Sequence, residues 1–105
     1  MERKEMDLQE VRTGSTDVQL LFLADKLANM RSLACELAVV GETVWEKFHV
    51  PKEKQAWYYS KAIDILEDYQ SYDETRDFYW ELNNIYKDIF VNCLINKLKD
   101  TLYQV

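Results

Sequence analysis

Between residues 20 and 37, apolar side chains return every three or four positions: Leu20, Leu23, Ala24, Leu27, Met30, Ala34 and Leu37. Such a run fits the helical period of 3.6 and cannot be laid onto a strand, whose side chains alternate with period two. The segment is therefore predicted to be a long helix with one apolar face, and the rest of the chain must cover that face. The remainder has little but helix to do it with. It holds 2 Gly and 1 Pro among 105 residues, whereas an antiparallel sheet needs frequent turn residues. A hydrophobic share of 48% beside 30% charged residues marks a globular chain rather than a disordered one, and the length suits one domain. The expected fold is all-α, a bundle of four to five helices forming a single domain over residues 1–105.

Local signals set the expected boundaries. Residues 2–12 form a polar segment with Met6, Leu8 and Val11 on a loose stripe, broken by Thr13-Gly14-Ser15. Thr16 stands three residues before Gln19, the spacing of a capping box, and predicts a helix starting near Asp17. Gly41 suits the residue that ends it. Val44, Trp45 and Phe48 are expected to anchor a short helix over residues 42–48. Pro51 fits a first helical turn, and Tyr58, Ala62, Ile65, Leu66 and Tyr69 then mark the inner face of a helix running to about Tyr69. Ser71 and Glu74 repeat the capping-box spacing ahead of a last helix. Phe78, Leu82, Ile85, Ile89 and Cys93 form one stripe there. Leu82, Tyr86, Phe90, Leu94, Leu98 and Leu102 form an adjoining one. No internal repeat or linker is evident.

Charge and residue type narrow the function classes. With 13 basic and 19 acidic residues the net charge is −6, which gives no general attraction to nucleic acid or to anionic membranes. The longest apolar run, Leu20-Leu21-Phe22-Leu23-Ala24, is far short of the roughly 20 residues of a membrane span. The charged start Met1-Glu2-Arg3-Lys4-Glu5 does not read as a signal peptide. Cys35 and Cys93 lie in apolar helical contexts and are expected to be reduced core thiols of an intracellular, cytoplasmic protein. The single histidine, His49, excludes a multi-histidine metal centre built from this chain alone. There is no Gly-rich phosphate loop, no C-x-x-C and no nucleophile elbow. Nothing in the sequence activates either thiol for a Cys–His pair with His49.

The chemistry-bearing residues sit inside the long helix. Asp25, Asn29 and Ser32 are spaced four and three apart and project from one side. Beside Leu21, Ala24 and Ala28, the Asp25 carboxylate is expected to be partly desolvated and to need a cation or donors. An ion pair with Lys26 or Arg31, or plain solvation, meets that need as well as a functional site does.

The wording of the segment Leu23-Ala24-Asp25-Lys26-Leu27-Ala28-Asn29-Met30-Arg31-Ser32-Leu33 resembles a signature of the HD superfamily of metal-dependent phosphohydrolases, specifically the guanosine-tetraphosphate (alarmone) hydrolases. Arg3-Lys4-Glu5, and then Asp17-Val18-Gln19-Leu20-Leu21, are similar to the helix and the approach that precede that signature. Trp45-Glu46-Lys47-Phe48 and Pro51-Lys52-Glu53-Lys54-Gln55-Ala56-Trp57-Tyr58-Tyr59 are similar to the segment after it. The resemblance implies that Asp25 is the last ligand of a divalent metal, usually manganese. It further implies that Asn29 and Ser32 line a nucleotide pocket and that Lys26 and Arg31 lie near phosphates or brace the motif.

The family site also needs a histidine and a His-Asp pair, and no His-Asp dipeptide occurs here. The chain is therefore expected to correspond to the rear part of an HD domain. It should bind no metal tightly and be inactive alone, because one carboxylate supplies neither the ligand number nor the geometry. Two other functions stay open. One is a helical protein-interaction module using aromatics such as Trp45, Trp57, Tyr58, Tyr59, Tyr79 and Trp80. The other is one half of a split hydrolase completed by a second chain. The partners implied are a guanosine polyphosphate, a further copy of the chain or a complementary half-domain, with no nucleic acid and no membrane.

Overall fold

The computed structural model describes residues 2–91, with side chains from Asp7 onward. Four α-helices follow one another, α1 (Glu2–Arg12), α2 (Thr16–Val40), α3 (Lys52–Ile65) and α4 (Arg76–Tyr86). Tight 3-10 turns at Gly41–Lys47 and Glu67–Ser71 join α2 to α3 and α3 to α4, and a wider π-helical turn at Lys87–Val91 extends α4. Among the described residues there is no strand, and no helix is long and apolar enough to cross a membrane. The all-α bundle expected from the periodicity is the fold observed. Cys93, Leu94, Leu98 and Leu102 lie outside the described residues.

The turn between α1 and α2 is tight because Gly14 has no side chain. A Cβ there would stand 2.9 Å from the Glu10 carbonyl oxygen and 3.1 Å from Val18 Cγ1. Ser15, in extended conformation, caps α2 by accepting the Val18 amide at 3.3 Å. This corrects the expected Thr16 capping box by one residue. Gln19, freed from that duty, donates through Nε2 to the Val11 carbonyl at 3.0 Å. Its Oε1 accepts the Tyr69 hydroxyl at 2.6 Å, so one amide ties the α1–α2 junction to the distant Glu67–Ser71 turn.

Along α2 the buried residues are Leu23, Leu27, Met30 and Leu33, with Leu20, Ala34 and Leu37 packed against them at the edge. Ala24 is exposed, and so is Cys35. The expectation of a core thiol at Cys35 is thus wrong: five residues on from Met30 is roughly 140° round the axis, beyond the covered face. Gly41 ends α2 at φ +68°, its amide donating to the Leu37 carbonyl. Thr43 Oγ1 donates to the Val40 carbonyl at 2.8 Å, so the exposed carbonyls of the helix end are answered locally.

Pro51 stands just ahead of α3 rather than within its first turn, and its carbonyl accepts from Lys54 and Gln55 at 3.1 Å each. The α-helix stops at Ile65 and the chain tightens into the 3-10 turn. Tyr69 stays buried there, although the helix falls short of it. Ile63 takes the inner position and Ile65 is only half-buried. The second expected capping box also fails. Ser71 closes the 3-10 turn, and α4 begins at Arg76 behind Thr75. Side chains hold the intervening bend: Thr75 Oγ1 donates to the Tyr69 carbonyl at 2.6 Å and Arg76 Nε to the Gln70 carbonyl at 2.9 Å.

Tyr79 and Leu82 are the buried residues of α4, while Phe78 is 51% exposed. The expected stripe holds at Leu82, Ile85 and Ile89 but not at Phe78, whose inner place Tyr79 takes. The π-helical turn widens the spiral so that neighbouring Ile89 and Phe90 are both buried. Phe90 packs at 5.6 Å from Trp45 and 5.3 Å from Tyr86, centroid to centroid. The main core joins α2, Val44, Ile63, Leu66, Tyr69 and α4. A smaller cluster of Leu8, Tyr58 and Ala62 holds α1 against α3.

Candidate functional site

The five residues singled out on α2 project from three directions. Asp25 is on the outside, its side chain 63% exposed, so the expected desolvation is not found. Its Oδ2 meets Lys26 Nζ at 3.0 Å and accepts from Asn29 Nδ2 at 3.5 Å. Lys26 turns inward instead. Its side chain is 13% exposed, and its ammonium lies 5.1 Å from the centre of the Phe22 ring and 5.3 Å from that of Tyr58. Burial opposes the charge, but the hydrogen bond to Asp25 and the field of Tyr58 outweigh it, and the Lys26 pKa is raised. Lys26 is thus held as a cation between two aromatic faces, an arrangement that favours charge where water is scarce.

Arg31 points toward α4. Its Nη2 donates to Glu81 Oε1 at 2.7 Å and its Nε to Glu81 Oε2, a two-pronged pair. The guanidinium holds the Glu81 carboxyl below its usual pKa by hydrogen bonding and attraction, against a smaller cost of burial. A carboxyl with a depressed folded-state pKa contributes stability above its unfolded pKa, lost as pH falls through the folded value. Acid titration followed by circular dichroism should therefore show stability draining away below about pH 4.5, the ordinary glutamate value. Glu81→Gln should flatten that part of the profile; an unchanged slope in the variant would show that the pair contributes nothing.

Asn29 and Ser32 do come together. Both line a cavity of about 490 Å³ between α2, the Gly41–Lys47 turn and the start of α3, with Lys47, His49, Gln55 and Tyr59 across from them. Gly41 reverses the chain, and the turn after it brings Lys47 back to pair with Glu36 of α2. Gln55 is buried and donates through Nε2 to the Val50 carbonyl at 3.0 Å, fixing the loop that carries His49. Tyr59 has its phenol raised by burial, which outweighs attraction to Lys26 and a hydrogen bond with Asn29. The cavity thus presents amide, hydroxyl, imidazole and phenol groups to one space, together with the paired Lys47 ammonium and Glu36 carboxylate. Such a set can hydrogen-bond a polar ligand of nucleoside size.

Of the four positions expected to touch substrate, Asn29 and Ser32 share this cavity, while Lys26 and Arg31 are engaged elsewhere. Lys47, His49, Gln55 and Tyr59 were not expected in it. The weak signal for them was a lone histidine and a run of polar residues just before and within the first turns of α3.

The described residues do not make a metal site. Among the described residues no group of three or more His, Cys, Asp and Glu side chains is placed to hold an ion, and Asp25 already meets Lys26 and Asn29. No family model, no curated protein and no solved structure matches the chain.

Proposed function

We propose that this chain is the rear part of an HD-type phosphohydrolase fold, supplying the nucleotide-facing wall for a guanosine polyphosphate and remaining catalytically silent alone. The observation that carries the reading is the meeting of Asn29 and Ser32, both within the HD-like segment, in one polar cavity with Tyr59 and Lys47. On this reading the histidine and His-Asp ligands lie outside these 105 residues, and the metal they would hold is what would activate water in such a site. Asp25, exposed on the same helix, would be the one carboxylate that these residues contribute to such a centre.

The test is pyrophosphate release from guanosine tetraphosphate with Mn²⁺ present. The purified chain should give none, and calorimetry should find no tight Mn²⁺ site. A mixture with a separately produced chain carrying the His and His-Asp ligands should turn over, and Asp25→Asn should abolish that turnover. Alone, Asp25→Asn should stay folded and lose about 1 kcal/mol, because the exposed Asp25 carboxylate is one partner of the largely buried Lys26 ammonium. Turnover by the isolated chain that survives Asp25→Asn would overturn the reading.

A further inference from the structure

Two cavities on one side of the bundle are neighbours, since Leu20 and Thr75 line both. The first is an apolar groove of about 340 Å³ between α2 and the start of α4, with Leu20, Leu23, Ala24, Leu27, Ala28 and Phe78 in its walls. Phe78 is half exposed in that wall, and the exposed side chain of Leu21 on α2 extends the apolar surface. The second is a broader hollow of about 650 Å³, where four carboxylates, Asp64, Glu67, Asp68 and Glu74, face the single cation Arg12. Among the described residues none of the four is in an ion pair. The phenol of Tyr79 reports the resulting field: burial raises its pKa first, and the charges of Glu67 and Asp64 raise it further. At the opposite end of the groove Arg31 is neutralised by Glu81.

The surface is therefore an apolar strip that runs from a neutral end into a negative one. We propose that it docks an amphipathic helix of another protein, one whose apolar face ends in Lys or Arg. Charge complementarity selects this occupant. A second copy would bring a net charge of −6 against −6, whereas a cationic helix end gains attraction and faster encounter from the same field. Length agrees as well. Leu20 and Ala28 lie about 12 Å apart along the α2 axis, room for a set of anchors at i, i+3 or i+4, and i+7. The proposal goes beyond the phosphohydrolase reading and does not depend on it, since it concerns a different face and needs no nucleotide or metal.

The probe is a synthetic helical peptide of roughly 18 residues with Leu and Ala on one face and Lys clustered at one end. Fluorescence anisotropy against the full chain should detect binding. The same peptide with Glu in place of Lys should bind at least about tenfold more weakly, a difference of about 1.4 kcal/mol. Ala28→Glu, in the groove, and the double change Glu67→Lys with Asp68→Lys, in the hollow, should each weaken the Lys peptide by a similar factor. Both sites are exposed, and unchanged circular dichroism would separate lost docking from lost folding. Equal binding of the Lys and Glu peptides, or indifference to Ala28→Glu, would overturn the proposal. So would sedimentation showing a dimer that Ala28→Glu disperses, or a rise in peptide affinity once residues 92–105 are removed. The first would give the groove to a second copy and the second to the chain's own end.

Discussion

Leu82→Ala should cost about 2–5 kcal/mol of folding stability, the range for truncating a fully buried leucine. Leu82 has no exposed surface and belongs to the cluster that joins α4 to α2 and to Leu66 and Tyr69. Its removal loses the transfer energy of the side chain and leaves a void that close-packed neighbours cannot fill without shifting. A domain of this kind has about 5–15 kcal/mol in total, so the urea midpoint should fall by a large fraction while the slope stays constant. Leu27→Ala should cost less, because Leu27 borders the apolar groove and the wall there can relax into open space. Leu21→Ala, at a site 72% exposed, is the control and should move the midpoint little. A Leu82→Ala protein within about 0.5 kcal/mol of the parent would mean that α4 is not seated on α2 as described.

Gly41→Ala should cost about 1–3 kcal/mol for a different reason. Nothing lies within 4 Å of where the new Cβ would stand, so the penalty is not a clash. It arises from the backbone: φ +68° with ψ −153° is a conformation that L side chains rarely adopt. A D-alanine introduced by chemical ligation prefers positive φ and should be tolerated far better than the L form. Equal melting temperatures for the two would show that the turn does not hold this conformation. Because Gly41 returns the chain toward α2, the L-Ala variant should also disturb the placement of Lys47 and His49 beside Asn29.

The two predictions mark what sequence reading can reach. Leu23, Leu27 and Met30 were legible because a helix of 25 residues repeats its period often enough to fix the phase. In α4 the run Phe78-Tyr79-Trp80 is aromatic at three successive positions, and periodicity cannot choose among them. Packing buried Tyr79 and left the other two exposed. Both capping boxes misled because a hydroxyl is a local signal with several local uses. Ser15 takes the Val18 amide with its hydroxyl and the Gln19 amide with its carbonyl, which leaves Thr16 no cap to make, and Thr75 closes a bend that no pairwise motif describes.

The site divides in the same way. Asn29 and Ser32 share a side of one helix, which spacing alone shows. That Lys47, His49 and Tyr59 face them depends on the reversal at Gly41 and on the packing of α3, which is tertiary information. The turns of Lys26 inward and of Arg31 toward Glu81 were equally beyond reach, since each answers to a partner about thirty or fifty residues away along the chain.

The small cluster of Leu8, Tyr58 and Ala62 that holds α1 has a kinetic meaning. Opening of a segment requires only the free energy of the contacts it breaks, and local openings proceed in order of that cost. Releasing α1 breaks this cluster and the clamp of Gln19 on the Val11 carbonyl, and leaves the core between α2 and α4 untouched. The amides of α1 should therefore trade protons with solvent well before those of α2. The molecule should then unravel as a ladder with at least two rungs, the amino-terminal helix first and the central pair together and last.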